Sequence, residues 1–175
     1  IRDSLLAVSG RLDRTLYGRS INPHRHGEDS AKRLFSGPID GNGRRSIYLK
    51  VSIMAPSKFL LSFNFPDPKL PTGRRDVTNV PSQALVLLND PFVVSLADQW
   101  AGRLVAEKHP TPEARIEQMF VRALGRSPRT EESERWTGFA RGLSDGGTVQ
   151  LMADRVAWKN VAHTLLNIKE FIHFR

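Results

Sequence analysis

Residues 72–94 read TGRRDVTNVPSQALVLLNDPFVV, and the punctuation inside this stretch decides the fold. Pro81 can open a short helix, because its fixed φ and missing N–H cost nothing in a first turn. The apolar run after it predicts an end near Leu88. Asn89 or Asp90 then supplies the short oxygen-bearing side chain that caps a following helix, with Pro91 at its first position. Phe92, Leu96, Trp100 and Leu104 recur beyond it at helical spacing.

The same grammar continues toward the C-terminus. Thr111-Pro112-Glu113 repeats the cap-and-proline start, Ile116, Phe120 and Leu124 form a stripe, and Gly125 ends the helix in a left-handed residue. Thr130 is placed to cap another helix, with Glu131 and Glu132 against the positive end of its dipole. Trp136, Phe139, Ala140 and Leu143 form its expected inner face. Asp145-Gly146-Gly147 is the expected turn into one long last helix carrying Leu151, Trp158, Val161, Leu165 and Ile168 on one side. Asn167 and Glu170 near its end have the spacing of a capping box.

Toward the N-terminus the pattern is less regular. Ile1, Leu5, Val8 and Leu12 lie at helical spacing with no capping residue before them, so the chain reads as starting inside a helix and an upstream domain is expected. Residues 17–43 are rich in glycine, proline and charge and read as a long loop. Within it Asp40-Gly41-Asn42-Gly43 reads as a tight turn and not as a calcium loop, because Arg44 stands where the EF-hand pattern needs an oxygen ligand. Ile47, Leu49 and Val51, then Phe59, Leu61, Phe63 and Phe65, alternate with other residues. This period favours a small β-hairpin or two separate extended segments near residues 46–65, with a short helix at the second segment as the alternative. The whole therefore reads as mainly α: a single helical-bundle-like domain over residues 1–175 with one small extended region.

Composition excludes more than it names. At 175 residues, 39% hydrophobic and 25% charged, the chain is long enough for one well-formed core. No apolar run approaches the ~18 residues that a membrane-spanning helix needs. There is no cysteine, hence no disulfide, thiolate metal site or covalent haem attachment within these residues. The net charge of +8 comes mainly from arginine, spread along the chain. Arginine's planar fork suits carboxylate, phosphate or sulfate, and equally ties down backbone carbonyls. No basic run of the kind found in nucleic-acid tails occurs, which disfavours nucleic acid as a partner.

The pointed candidates for a binding site are the pairs Arg44-Arg45 and Arg74-Arg75, with Thr78, Asn79 and Gln83 beside the second pair completing a polar pocket. The competing reading is structural: the arginines tie loops to helix C-terminal carbonyls or to Asp67, Asp76 and Asp90, while Thr78 and Asn79 bond the local backbone. Asp90 is explained by capping. His24 and His26, one residue apart in a glycine-rich loop, could offer two metal ligands but lack an evident third. His163 and His173 are read as packed or surface histidines. No nucleophile elbow, His-Glu-x-x-His, phosphate loop or dinucleotide fingerprint is present, so the case for an enzyme in this chain alone is weak.

Six blocks carry a family resemblance: IRDSLLAVSG at residues 1–10, RRSIYL at 44–49, FNFPD at 63–67, the stretch 72–94, ALGRSP at 123–128 and LLNIKEF at 165–171. In this order they resemble the planctomycete-type C-terminal domain of unknown function (domain of unknown function 1553), found in large secreted proteins beside other modules and sometimes a c-type cytochrome domain. Members often carry a cysteine shortly before the paired arginines; here that stretch reads Leu70-Pro71-Thr72-Gly73. The resemblance implies an exported protein, periplasmic or extracellular, of which this is the C-terminal module. No cofactor is expected in this chain, a haem being possible in another domain of the parent.

The expected function is a non-catalytic binding or assembly module that packs on its upstream domain and offers arginines to an anionic extracellular polymer such as a polysaccharide. The alternative is a module that completes the active site of an upstream redox or polysaccharide-processing enzyme, and nucleic-acid binding stands third.

Overall fold

The computed structural model describes residues 1–74, 78, 80–172 of the 175. It is mainly helical, with isolated bridges and no sheet among the described residues. The chain divides into two compact units, Ile1–Phe92 and Val93–Arg175. The net charge is uneven between them. The first unit holds 14 of the 26 basic and 8 of the 18 acidic residues, and so six of the eight net positive charges.

The first unit opens with helix α1 (Arg2–Ser9), stopped by Gly10 at φ 73°. The spacing that included Leu12 overran this stop: a glycine in the left-handed region ends the helix, and the Arg11 and Leu12 N–H groups both turn back to the Leu6 carbonyl at 2.8 and 3.0 Å. Arg2, Leu5, Leu6, Val8 and Ser9 are buried.

The loop that follows is tied at several points. Arg25 and Ser36 exchange hydrogen bonds, backbone N to Oγ at 3.0 Å and Oγ to carbonyl at 3.1 Å, while the Gly37 N–H reaches the Pro23 carbonyl at 3.1 Å. Asp29 and Leu34 pair across a turn whose bend is Arg33 at φ 54°. The Asp40-Gly-Asn-Gly43 turn is present as a 3-10 segment, with the Asp40 side chain accepting from the Asn42 N–H at 2.9 Å.

No hairpin forms over residues 46–65. Ser46–Tyr48 is a 3-10 turn, and Leu49 makes one parallel bridge to Ile21. Ile47, assigned inward by the alternation, is 78% exposed. The second segment takes the alternative: helix α2 (Lys58–Ser62), with Phe59 buried against Phe63 and Phe92 at ring distances of 5.1 and 5.3 Å. An apolar run this short fits either period, and the tertiary partners of Phe59 select the helix. α2 packs on α3 (Pro81–Asn89), which starts at Pro81 as its sequence requires.

Asp90 caps α4 (Pro91–Ala106), taking the Phe92 N–H at 2.9 Å, and the boundary between the units falls in that helix's first turn. In the second unit α5 (Pro112–Leu124) has its Thr111 cap and its Gly125 stop at φ 70°. It packs on α6 (Thr130–Gly142), α7 (Thr148–Ala153), α8 (Arg155–Leu166) and the short α9 (Lys169–Ile172).

Three readings shift here. The long last helix is broken at Asp154, whose side chain caps α8 through the Ala157 N–H at 2.9 Å. The inner face of α6 is Thr137 and Ala140, with Trp136 half-buried against Phe120 and Phe139 38% exposed. Glu170 turns both carboxylate oxygens to Arg126. Trp100, Trp158, Leu104, Ile116 and Phe120 are buried in this unit, each contributing about 2 kcal/mol by removal from water.

Candidate functional site

The arginine pairs occupy different surroundings. Arg44 is spent inside the first unit: Nη1 donates to the Thr15 carbonyl at 2.8 Å, Nη2 to the Tyr17 carbonyl, and the guanidinium lies 4.0 Å from the Tyr48 ring centre with Asp13 at 3.7 Å. That is the loop-tying geometry of a structural arginine. Arg45 is half-exposed, its Nε 3.7 Å from Asp3. Arg74 is exposed. Gln83 is buried and donates to the Thr78 hydroxyl at 3.3 Å, which also exchanges hydrogen bonds with Asn64 at 2.8 and 3.1 Å. Arg75 and Asn79 lie outside the described residues.

A cavity of about 550 Å³ opens elsewhere in the first unit. Arg44, Arg45, Arg74 and Gln83 are not among its lining residues. Its floor is Arg2, Phe59 and Phe92, all under a tenth exposed. Prolines and aliphatic side chains make most of its wall. Its rim carries His24, Arg25, His26 and Lys58, and Asp90 is the one carboxylate among the described lining residues. Ser57 is the one uncharged hydroxyl or amide side chain among the described lining residues.

Each cation is placed by its element. Arg2 sits one turn before Leu5 and Leu6 on α1, so it shares their inward face. Its Nη1 donates to the Arg44 carbonyl at 2.8 Å and its Nη2 to the Asp40 carbonyl at 2.9 Å. Burial pulls its pKa down, and Asp3 and Asp40 offset part of that; an arginine so placed remains charged. Asp40 itself is held by Arg11 through Oδ2, at 2.7 Å from Nη2 and 3.1 Å from Nε. Asp40 does not line the cavity, and its charge is matched by Arg11.

The rim is fixed by the loop. His24 Nδ1 stands 3.3 Å from the Gly37 carbonyl, and the His24 and His26 rings meet edge to face at 5.8 Å. Arg25 donates from Nη2 to the Ala55 carbonyl at 2.7 Å. Its Nε is buried and meets no acceptor among the described residues. A buried guanidinium N–H without an acceptor is costly.

Two polar clusters in the second unit are structural by their geometry. Arg126 bridges Glu132 and Glu170. Glu107 accepts from Arg122 at 3.0 Å and stands 3.4 Å from His109. Burial opposes ionisation of Glu107, but Arg122 and His109 outweigh it and its pKa falls below the usual value; burial, then Arg115, lowers that of His109. A carboxylate kept ionised beside an imidazole kept neutral is a satisfied network, since neither group is moved toward the other's task.

Among the described residues no group of three or more His, Asp or Glu side chains stands at metal-binding distance, and no helix is long and apolar enough to cross a membrane.

The cavity as a whole escaped the sequence reading because its lining comes from six separate stretches of the chain. One signal was available: an arginine at position 2 on the helix face that also carries Leu5 and Leu6. A cation on a core-facing stripe needs buried acceptors, and so marks a built site.

No curated protein and no solved structure matches the chain. The profile of the family described as PSD1, protein of unknown function (DUF1553), matches residues 1–140, which take in the whole first unit and the cavity. The chain therefore belongs to the DUF1553 family.

Proposed function

We propose that this chain is a non-catalytic binding module which holds an anionic group of its partner in the cavity of the first unit. The observation that carries the reading is the charge of that cavity: Arg2, Arg25 and Lys58 line it, with two histidines beside them, against one carboxylate among the described lining residues, Asp90, part of whose capacity is used in capping α4. Cations along low-dielectric walls concentrate an anion well beyond what exposed side chains do. The lining also lacks a facing pair of carboxylates and a nucleophile hydrogen-bonded to a base among the described residues, which favours binding over chemistry. On the strength of the family resemblance the proposal places this module in an exported, multidomain parent, where an upstream domain or an anionic extracellular polymer supplies the group.

The test is a calorimetric titration of the 175-residue chain with inorganic sulfate and with a sulfated polysaccharide at 20 and 150 mM NaCl, beside a neutral dextran. Binding of at least one anion, absent for dextran and weakened at least fivefold in Lys58→Glu, is the expected result. Binding unaffected by Lys58→Glu overturns the cavity as the site, and failure of every anion, decanoate included, overturns the anion-binding reading.

A further inference from the structure

The cavity's wall is at odds with a strongly hydrated ligand. Beyond the rim, the described lining is mostly prolines, Leu34, Ile39, Leu49, Leu61 and the two buried phenylalanines, with Arg2 on the floor already bonded to two carbonyls, Asp90 at the cap of α4, and Ser57 as the one neutral hydroxyl or amide side chain among the described lining residues. A sugar ring brings a hydroxyl on nearly every carbon. Each would lose water against this wall without a partner, at a cost of about 1 to 3 kcal/mol apiece. A bare sulfate ion fills the charged rim and leaves the apolar wall wet. The volume of about 550 Å³ falls in the range of pockets that enclose a whole small molecule.

We infer that the ligand of this cavity is an amphiphilic organic anion, one carboxylate or phosphate-type head on an apolar acyl or aromatic body; the inference rests on the anion-binding reading above. The head lies at the rim beside Arg25 and Lys58. The body lies along Leu34, Ile39 and Leu49 toward Phe59 and Phe92. The two halves of the cavity recognise the two halves of the ligand: charge sets its orientation, and apolar area supplies most of the affinity.

The experiment is calorimetry on the 175-residue chain at 150 mM NaCl with four probes: decanoate, acetate, inorganic sulfate and decyltrimethylammonium. Decanoate is expected to bind at least tenfold more tightly than acetate or sulfate, and decyltrimethylammonium not to displace it. Lys58→Glu, an exposed substitution, is expected to weaken decanoate at least fivefold with unchanged thermal stability; Ile39→Ser weakens decanoate but not sulfate. If sulfate binds in a Lys58-dependent way and decanoate is no tighter than acetate, the amphiphile inference falls while the anion-binding reading stands. If no anion binds, both fall. Tight decanoate binding insensitive to Lys58→Glu, or matched by decyltrimethylammonium, places the binding elsewhere and overturns the inference.

Discussion

Arg126 and Glu132 meet in a two-pronged contact, Nη1 to Oε2 at 2.8 Å and Nη2 to Oε1 at 2.9 Å, across the turn between α5 and α6. The same guanidinium holds Glu170 on α9 through Nε at 2.6 Å and Nη2 at 2.7 Å. Arg126, and next the Arg129 N–H, pull the Glu132 pKa down to about 2. A carboxylate depressed on folding stabilises the fold above its ordinary value of 4.5, and that contribution fades as pH falls from there toward 2. Because the group is partly exposed, Glu132→Gln is expected to cost about 1 kcal/mol at pH 7. Urea denaturation repeated from pH 7 to pH 2 is expected to show the wild type losing this margin between pH 4.5 and 2, with a flatter profile for the variant.

Gly41 at φ 62° is a second point of leverage. A Cβ there would approach Arg2 Nη2 and Ile21 Cδ1 to 2.7 Å each. Gly41→Ala therefore combines the left-handed strain of about 1 to 2 kcal/mol with displacement of the cavity floor. Gly125→Ala, at φ 70° with open space around the new methyl, carries only the strain. Both variants are expected to melt lower than the wild type, with Gly41→Ala alone also weakening anion binding; equal binding in the two variants would count against Arg2 as part of the floor.

Asp90 separates stability from charge. Asparagine caps helices about as well as aspartate, whereas alanine loses about 1 kcal/mol. Asp90→Asn is expected to keep the melting temperature within about a degree and to tighten anion binding, since the cavity loses its one described carboxylate. Asp90→Ala is expected to lower the melting temperature by several degrees. Thermal melts and titrations on the same two proteins check both halves.

Trp158 is buried, with its indole N–H on the Leu151 carbonyl at 2.7 Å and the Arg115 guanidinium 4.6 Å from its ring centre. Phenylalanine keeps a ring but loses the indole donor and part of the buried bulk, leaving the Leu151 carbonyl with the Asp154 N–H alone, at 3.0 Å. Trp158→Phe is expected to cost about 2 kcal/mol, read as a lower urea midpoint with an unchanged slope.

The elements that sequence could deliver were those whose cause is local. Pro81, Asp90, Thr111 and Gly125 act on the turn they occupy, and each helix boundary they imply is where the structure has it. The extended region near residues 46–65 failed because alternation of apolar residues has no local arbiter; Phe59 is helical on account of Phe63 and Phe92, the latter more than thirty residues away in the chain. Asp154 was passed over because a continuous apolar stripe runs through it, and only the cap to Ala157 reveals the break. Of the candidate site residues, Arg44 sends its donors to the loop carbonyls of Thr15 and Tyr17. The cavity was illegible for a further reason: its charge comes from Arg2, Arg25 and Lys58, and only the fold adds them together.

Asp40 gives this arrangement an order in time. Its carbonyl receives Arg2, 38 positions earlier, and its carboxylate receives Arg11, 29 positions earlier. Until the chain reaches Asp40 and Arg44, the guanidinium of Arg2 lacks both of its carbonyl acceptors and has only Asp3 beside it, at 3.6 Å. Closure of the first unit must therefore wait for a long loop to come home. Contacts of that separation form slowly compared with helix hairpins, so this cavity is expected to assemble late in folding.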